Sequence, residues 1–102
     1  QVSRKWLLSQ KGLGEESCDA ILNYGCFREI FVVDRYTHRL LRACGMEFEY
    51  YGDIQSWVMD TIGGYETIYG DMEPARVYAY LHGMIVEYAK VDKKFIRIKE
   101  RL

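Results

Sequence analysis

The chain has 102 residues, 49% of them apolar, with 14 Lys and Arg against 15 Asp and Glu, one Pro and three Cys. That is about one domain with an ordinary globular composition, and no run approaches the roughly 20 apolar residues that a bilayer crossing needs. Three irregularly spaced Cys argue against a disulfide framework and for reduced thiols in a cytoplasmic, intracellular setting. No charged-then-apolar leader opens the chain. An opening on Gln1 with no Met before Met46 suggests a piece of a longer protein.

The formal net charge of −1 averages three unlike regions. Residues 1–45 carry seven bases and five acids, residues 46–75 seven acids and no base, and residues 76–102 seven bases and three acids. Such a distribution governs electrostatic steering more than the total does. The acidic stretch reads as a solvated face.

Helical spacing dominates from the start. Ser3–Ser9 reads as a short helix around Trp6, Leu7 and Leu8, broken by Lys11-Gly12-Leu13-Gly14, whose glycines permit a tight turn. Glu15–Tyr24 resumes as helix, with acids in the first turn to suit the macrodipole and Cys18, Ile21 and Leu22 on one face. After Gly25, the β-branched run Ile30–Val33 is too short for a helix and reads as a buried extended connection. Asp34 stands at an N-cap position. Behind it, Thr37, Leu40, Leu41 and Cys44 form an inward stripe, and Arg35, His38, Arg39 and Arg42 form the opposite, basic face. Gly45 closes this helix.

Residues 46–52 read as a loop, and Asp53 as the cap of a helix to Ile62 with Ile54, Trp57, Val58 and Ile62 inward, stopped by Gly63-Gly64. Residues 65–72 read as irregular. Pro74 opens the last long helix, which runs to Val91 with Val77, Tyr80, Leu81, Met84, Ile85 and Tyr88 inward. The tail 95–99 fits strand, coil or frayed helix. The class is all-α, one helical domain over 1–102, with a helix-hairpin-helix at about 3–24, an Asp segment at 30–45 and further helices at 53–91.

Two features carry chemistry. The glycine hairpin aims bare backbone N–H groups and the start of the next helix at a common point, which suits a phosphate; it equally serves as a plain αα turn. Asp34 is a carboxylate kept ionised by a helix dipole and nearby cations; such a group can stabilise a developing sugar cation or orient a water, or simply cap the helix.

Together the run L-S-Q-K-G-L-G-E-E-S-C-D-A-I-L-N-Y and the run E-I-F-V-V-D-R-Y-T-H-R-L-L resemble the helix-hairpin-helix (HhH-GPD) DNA glycosylases of the endonuclease III superfamily. There the hairpin reads L-P-G-V-G-x-x-T-A-x-x-[IV]-L and the catalytic segment [IV]-x-V-D-x-x-x-x-R. Gly12, Gly14, Ser17, Ala20-Ile21-Leu22, Val33-Asp34 and Arg39 fall at or near the expected places, with no gap between Gly12 and Asp34. The segment Y-A-Y-L-H-G-M-I-V-E-Y is most similar to the branch that excises alkylated purines such as 3-methyladenine.

The resemblance implies base-excision repair of double-stranded DNA, with Asp34 as the catalytic carboxylate. It implies DNA contacts from Lys11, Gly12, Leu13, Gly14, Ser17, Arg35 and Arg39, and a structural monovalent cation on the Gly12–Gly14 carbonyls. The position of the lyase lysine holds Glu16, which cannot form an imine, so a monofunctional glycosylase is implied. Lys11 stands where the family has Pro and is not promoted to that role. No Cys follows Cys44, so no iron–sulfur cluster is expected. Cys18, Cys26 and Cys44 are expected as core or semi-buried fillers, and His38 and His82 as structural or solvent-facing. In the family the base pocket and the wedge precede the hairpin, so this chain is expected to lack the N-terminal half, to be inactive alone and to self-associate through exposed apolar surface. The alternatives are a non-catalytic helix-hairpin-helix DNA-binding module and an all-α interaction domain.

Overall fold

A computed structural model of the chain describes residues 2–62 and 72–101, and every helix below is counted among these. The order is α1 (Arg4–Leu8), α2 (Glu15–Ala20) running into a π-helical turn (Ile21–Gly25), α3 (Arg35–Ala43), α4 (Tyr51–Ile62), α5 (Pro74–Val91) and α6 (Ile96–Glu100). The described residues contain no strand, as the all-α class requires. None of these helices is long and apolar enough to cross a membrane. The Gly63-Gly64 stop and residues 65–71 lie outside the described residues.

Local signals explain most boundaries. The Ser3 hydroxyl accepts from Trp6 N–H at 3.1 Å and starts α1. Gly45, at φ +85, ends α3 with Gly45 N–H on Arg42 O and Met46 N–H on Leu41 O, the left-handed closure that glycine favours. Pro74 stands in the first turn of α5. The tail resolves as helix because Asp92 caps it: Oδ1 accepts from Ile96 N–H at 2.9 Å and Oδ2 from Arg97 N–H at 3.1 Å. Phe95, at φ +53, turns the chain there and buries its ring, stacked on Tyr88 at 6.0 Å.

Two apolar clusters lie on either side of the extended connection 30–33. Leu7, Cys18 and Leu22 fill the smaller, under the hairpin, with Leu13 and Ile30 against it. Phe31, Val33, Leu41, Ile54, Val58 and Ile85 fill the larger, between α3, α4 and α5. Asp19, fully buried, ties the two together. Arg4 reaches it with Nε on Oδ1 at 2.8 Å and Nη2 on Oδ2 at 3.2 Å. The Tyr51 hydroxyl and Gln55 Nε2 each donate to Oδ2 at 2.8 Å. One carboxylate thus fastens α1, α2 and α4.

Several inward assignments are corrected. Ile21, Trp57, Tyr80 and Met84 are exposed. On α5 the buried stripe runs through Val77, Leu81, Ile85 and Ala89 with Tyr78 and His82 beside it, because His82 is drawn inward by a polar partner and turns Tyr80 and Met84 out. Trp57 instead lies at the edge of the core, 6.3 Å from the Phe48 ring. Helix α4 starts at Tyr51 rather than behind Asp53, which sits in its first turn. Cys44 is exposed because it caps α3 beyond the last inward turn, and Cys26 is exposed too, so only Cys18 is a core filler.

Candidate active site

Asp34 sits where the buried extended run turns into α3. Its backbone is extended (φ −114, ψ −178), and its side chain caps the helix. Oδ1 accepts from Thr37 N–H at 2.9 Å and from the Thr37 hydroxyl at 3.2 Å. Oδ2 lies 2.9 Å from His82 Nε2 on α5. Burial pushes this carboxyl up, but the His82 and Thr37 hydrogen bonds outweigh it and hold the group below the usual carboxylate range. Asp34 is therefore an ionised group in a largely dry position, with both oxygens oriented.

The other His82 nitrogen, Nδ1, lies 2.8 Å from the Tyr24 hydroxyl on the π-turn. The Tyr24 phenol is raised above its ordinary value, first by burial and then by the Asp34 charge, so it remains a donor at neutral pH. An Asn23 amide that donates to Arg28 O and Ala75 O, both at 3.0 Å, pins this turn against α5. The π-turn, a rare element often found at functional sites, thus brings Tyr24 into line with His82 and Asp34.

Asp34 opens on a groove of about 220 Å³ whose walls include Glu16, Arg35, His38, Glu49 and Tyr50. Glu16, on the first turn of α2, and Asp34 therefore share one groove. Glu49, exposed in the acidic stretch, lines the same groove. On the far side of His82 lies a larger, open apolar cavity of about 460 Å³ lined by Tyr24, Tyr80, Gly83 and Met84. With Trp6 and Phe27, also exposed, it supplies the apolar surface anticipated for this chain.

At the hairpin, Gly12 takes φ +88 and Gly14 caps α2 with extended backbone and no side-chain acceptor. A Cβ at either position would meet open space. Lys11 and Ser17 are exposed and Leu13 half-buried against the small cluster. Arg35 is exposed and lies over the Tyr36 ring at 5.0 Å, with Arg39 at 5.9 Å from the same ring. Of the expected residues, Glu16, Asp34 and Arg35 meet in one groove. His82 is the residue that sequence reasoning missed: it is held on Asp34 rather than facing solvent or serving packing alone. Its one signal was a polar side chain beside the inward stripe of α5. Among the described residues no group of three His, Cys, Asp or Glu could hold a metal.

No protein-family model matches the chain. A protein of Methanocaldococcus jannaschii with the provisional name DNA repair glycosylase is 36% identical over 100 residues, which make up 96% of this chain and 40% of that protein. The crystal structure of H. pylori 3-methyladenine DNA glycosylase, bound to 1,N6-ethenoadenine, matches with a TM-score of 0.82 and 40% identity, over 90% of this chain and 45% of that one. The chain thus spans less than half the length of the relatives it matches. Sequence and fold agree: over part of their length, the chain is similar to DNA glycosylases, as its likeness to the helix-hairpin-helix members of the endonuclease III superfamily implied.

Proposed function

We propose that the intact protein is a monofunctional DNA glycosylase of base-excision repair that hydrolyses the N-glycosidic bond of an alkylated purine. The observation that carries this reading is Asp34, ionised and held by three hydrogen bonds at the head of α3 on the wall of a groove. A glycosidic bond breaks toward an oxocarbenium ion. A fixed carboxylate in a dry site stabilises that positive charge far more than water would.

The base departs with the electron pair of the C1′–N bond. An N-alkylated purine is already cationic and leaves neutral, so little acid catalysis is required. Water then adds to C1′ and gives up its proton, and Asp34 is placed to direct that water. The base must first leave the stack, as for any enzyme that works on a base in duplex DNA. Glu16 in the same groove offers no amine, so the abasic site is left uncut.

The hairpin is read as the phosphate grip. Its exposed Gly12–Leu13–Gly14 backbone and the uncapped first turn of α2 favour an anion. Lys11 and Ser17 flank the hairpin, and Arg35 and Arg39 extend the basic face of α3. The hairpin carbonyls are hard oxygen donors of the kind that suit a simple cation. The monovalent ion implied by the resemblance would rest on these Gly12–Gly14 carbonyls and brace the turn. Pocket and wedge residues are assigned to the part of the relatives that this chain does not span.

The test is incubation of the intact protein with methylated duplex DNA and assay of free 3-methyladenine. Release without cleavage at the abasic site, and without a borohydride-trapped adduct, is the expected result. A non-catalytic docking module would bind the duplex with steep salt dependence and release nothing.

A further inference from the structure

The reading of Asp34 as catalytic leaves unexplained why a histidine on the inward side of α5 should point at it, and why a tyrosine on the π-turn should point at that histidine. We propose that His82 is a positioning residue, whose Nε2–H holds Asp34 ionised and oriented toward the groove while the Tyr24 hydroxyl fixes the ring in the tautomer that allows it. This inference rests on the glycosylase reading and adds a residue to it.

The hydrogen bonds assign the protons. An ionised carboxylate only accepts, so the nitrogen 2.9 Å from Asp34 Oδ2 must carry hydrogen. In the neutral ring Nδ1 is then an acceptor, and the Tyr24 hydroxyl at 2.8 Å is its donor. The chain runs one way, from Tyr24 through His82 to Asp34. If the ring gains a second proton, the Tyr24 hydroxyl can turn to Ala79 O, 3.4 Å away. The N–H toward Asp34 therefore survives either charge state of the ring.

The two remaining contacts of Asp34 come from Thr37, one residue of its own helix, and both fall on Oδ1. They fix the cap but leave Oδ2 free to rotate with the carboxyl or to take up a proton. Among the described residues, His82, from a different element, is the one that holds that oxygen. On the groove side the charged neighbours are Glu16 and Glu49 against Arg35, with His38 and the phenols of Tyr50 and Tyr51 beside them. On the far side of His82 stand Tyr24, Tyr80 and Glu87. Arg35, on the surface and turned over the Tyr36 ring, is poorly placed to substitute for the His82 N–H.

The pH dependence follows in sign. Burial raises the Asp34 carboxyl, and the bonds from His82 and Thr37 bring it below its ordinary value. Without His82 the carboxyl moves up, and the acid limb of base release moves up with it.

Single-turnover release of 3-methyladenine by the intact protein, followed from about pH 8 down to about pH 3 with spontaneous depurination subtracted at each pH, reads this. In His82→Ala the acid limb should rise by about one pH unit or more, with affinity for the same duplex unchanged. His82→Gln, which keeps an N–H donor, should restore the limb partway. Tyr24→Phe should give a smaller displacement, because the ring is then free to populate the other tautomer. An unmoved acid limb in His82→Ala overturns the inference. Should His82→Ala fail to fold by circular dichroism, Tyr24→Phe decides: a displaced limb supports the inference and a wild-type profile overturns it. If the wild-type protein releases no base at all, the glycosylase reading fails by itself. The inference then rests on the Asp34 carboxyl titrated by carbon-13 NMR, where a higher pKa in His82→Ala upholds it and an unchanged one ends it.

Discussion

Asp19, near the end of α2, and Asp34, at the cap of α3, are both buried carboxylates, yet their surroundings differ in kind. Asp19 is wholly enclosed and accepts two bonds from Arg4, one from Tyr51 and one from Gln55. Its four bonds come from groups on two other elements, α1 and α4. Asp34 is 9% exposed, takes its bonds from Thr37 and His82, and opens on a groove. A carboxylate with saturated oxygens and no exposure is a knot between helices. One that is oriented but still faces a groove retains capacity for a reacting centre. Burial and ionic partners alone do not separate the two roles; the direction of the remaining lone pair does.

The largest effect should come from removing the charge at the second site. Asp34→Asn should cost base release about a thousandfold, measured in single turnover, while DNA affinity stays near wild type. Its effect on stability should be modest, about 1–2 kcal/mol, since the amide oxygen can still cap α3 through Thr37 while the amide nitrogen opposes His82 N–H. A variant that keeps most of its activity would place Asp34 with Asp19 as a structural group.

Asp19→Ala should do the reverse. Removing one member of a buried ionic cluster costs about 3–5 kcal/mol, read as a shift in the urea midpoint of the intact protein. The part due to Arg4 is discounted because that side chain is 36% exposed; the larger share comes from the Tyr51 hydroxyl left without its acceptor and the Gln55 amide left with Phe31 O alone. Where the variant remains folded, its rate of base release should be near wild type. A loss of catalysis larger than the loss of folded protein would break the distinction.

Tyr51→Phe sharpens the same contrast at smaller scale. The hydroxyl donates to Asp19 Oδ2 and accepts from Val33 N–H at 3.2 Å, so it joins α4 to the connection that delivers Asp34. Burial, and then its bond to Asp19, holds the phenol well above its ordinary value, so it donates throughout the working pH range. Losing it leaves Val33 N–H without that acceptor and should cost about 1–3 kcal/mol by urea denaturation. The wall of the Asp34 groove should shift only slightly.

These contrasts also mark what could be read along the chain and what could not. The hairpin, the buried run 30–33 and the cap at Asp34 are local: glycine conformation, β-branching and a polar residue before a helical stripe announce them. Their spacing was enough to join hairpin to carboxylate. The partners of the two buried acids are not local. His82 lies 48 positions from Asp34, and helical periodicity on α5 favoured Tyr80 and Met84 as inward residues because it weighs apolar character alone. A histidine paired with a buried charge is stable on the inner side, and it rotates the stripe. Asp19 was passed over for the same reason: an acid between Cys18 and the apolar Leu22 reads as a surface residue until Arg4, Tyr51 and Gln55 are seen to converge on it. The interruption of α2 by a π-turn likewise has no signature in hydrophobic spacing, and it is what exposes Ile21.

The smallest effects should come from the two hairpin glycines, and there the sign of the difference matters more than its size. Gly12 has φ +88, which an L side chain adopts only with strain, whereas Gly14 has an ordinary extended φ of −92. A Cβ at either would meet no protein atom. Gly12→Ala should therefore cost about 1–2 kcal/mol of stability from backbone strain, and Gly14→Ala close to nothing. If nothing but folding had selected Gly14, its replacement would be silent in every assay. If a phosphate is drawn against the exposed backbone there, the added methyl stands in its way, and duplex affinity should fall several-fold while the urea midpoint is unchanged. Wild-type affinity in Gly14→Ala would remove the hairpin from the DNA interface and leave the basic face of α3 to supply the phosphate contacts.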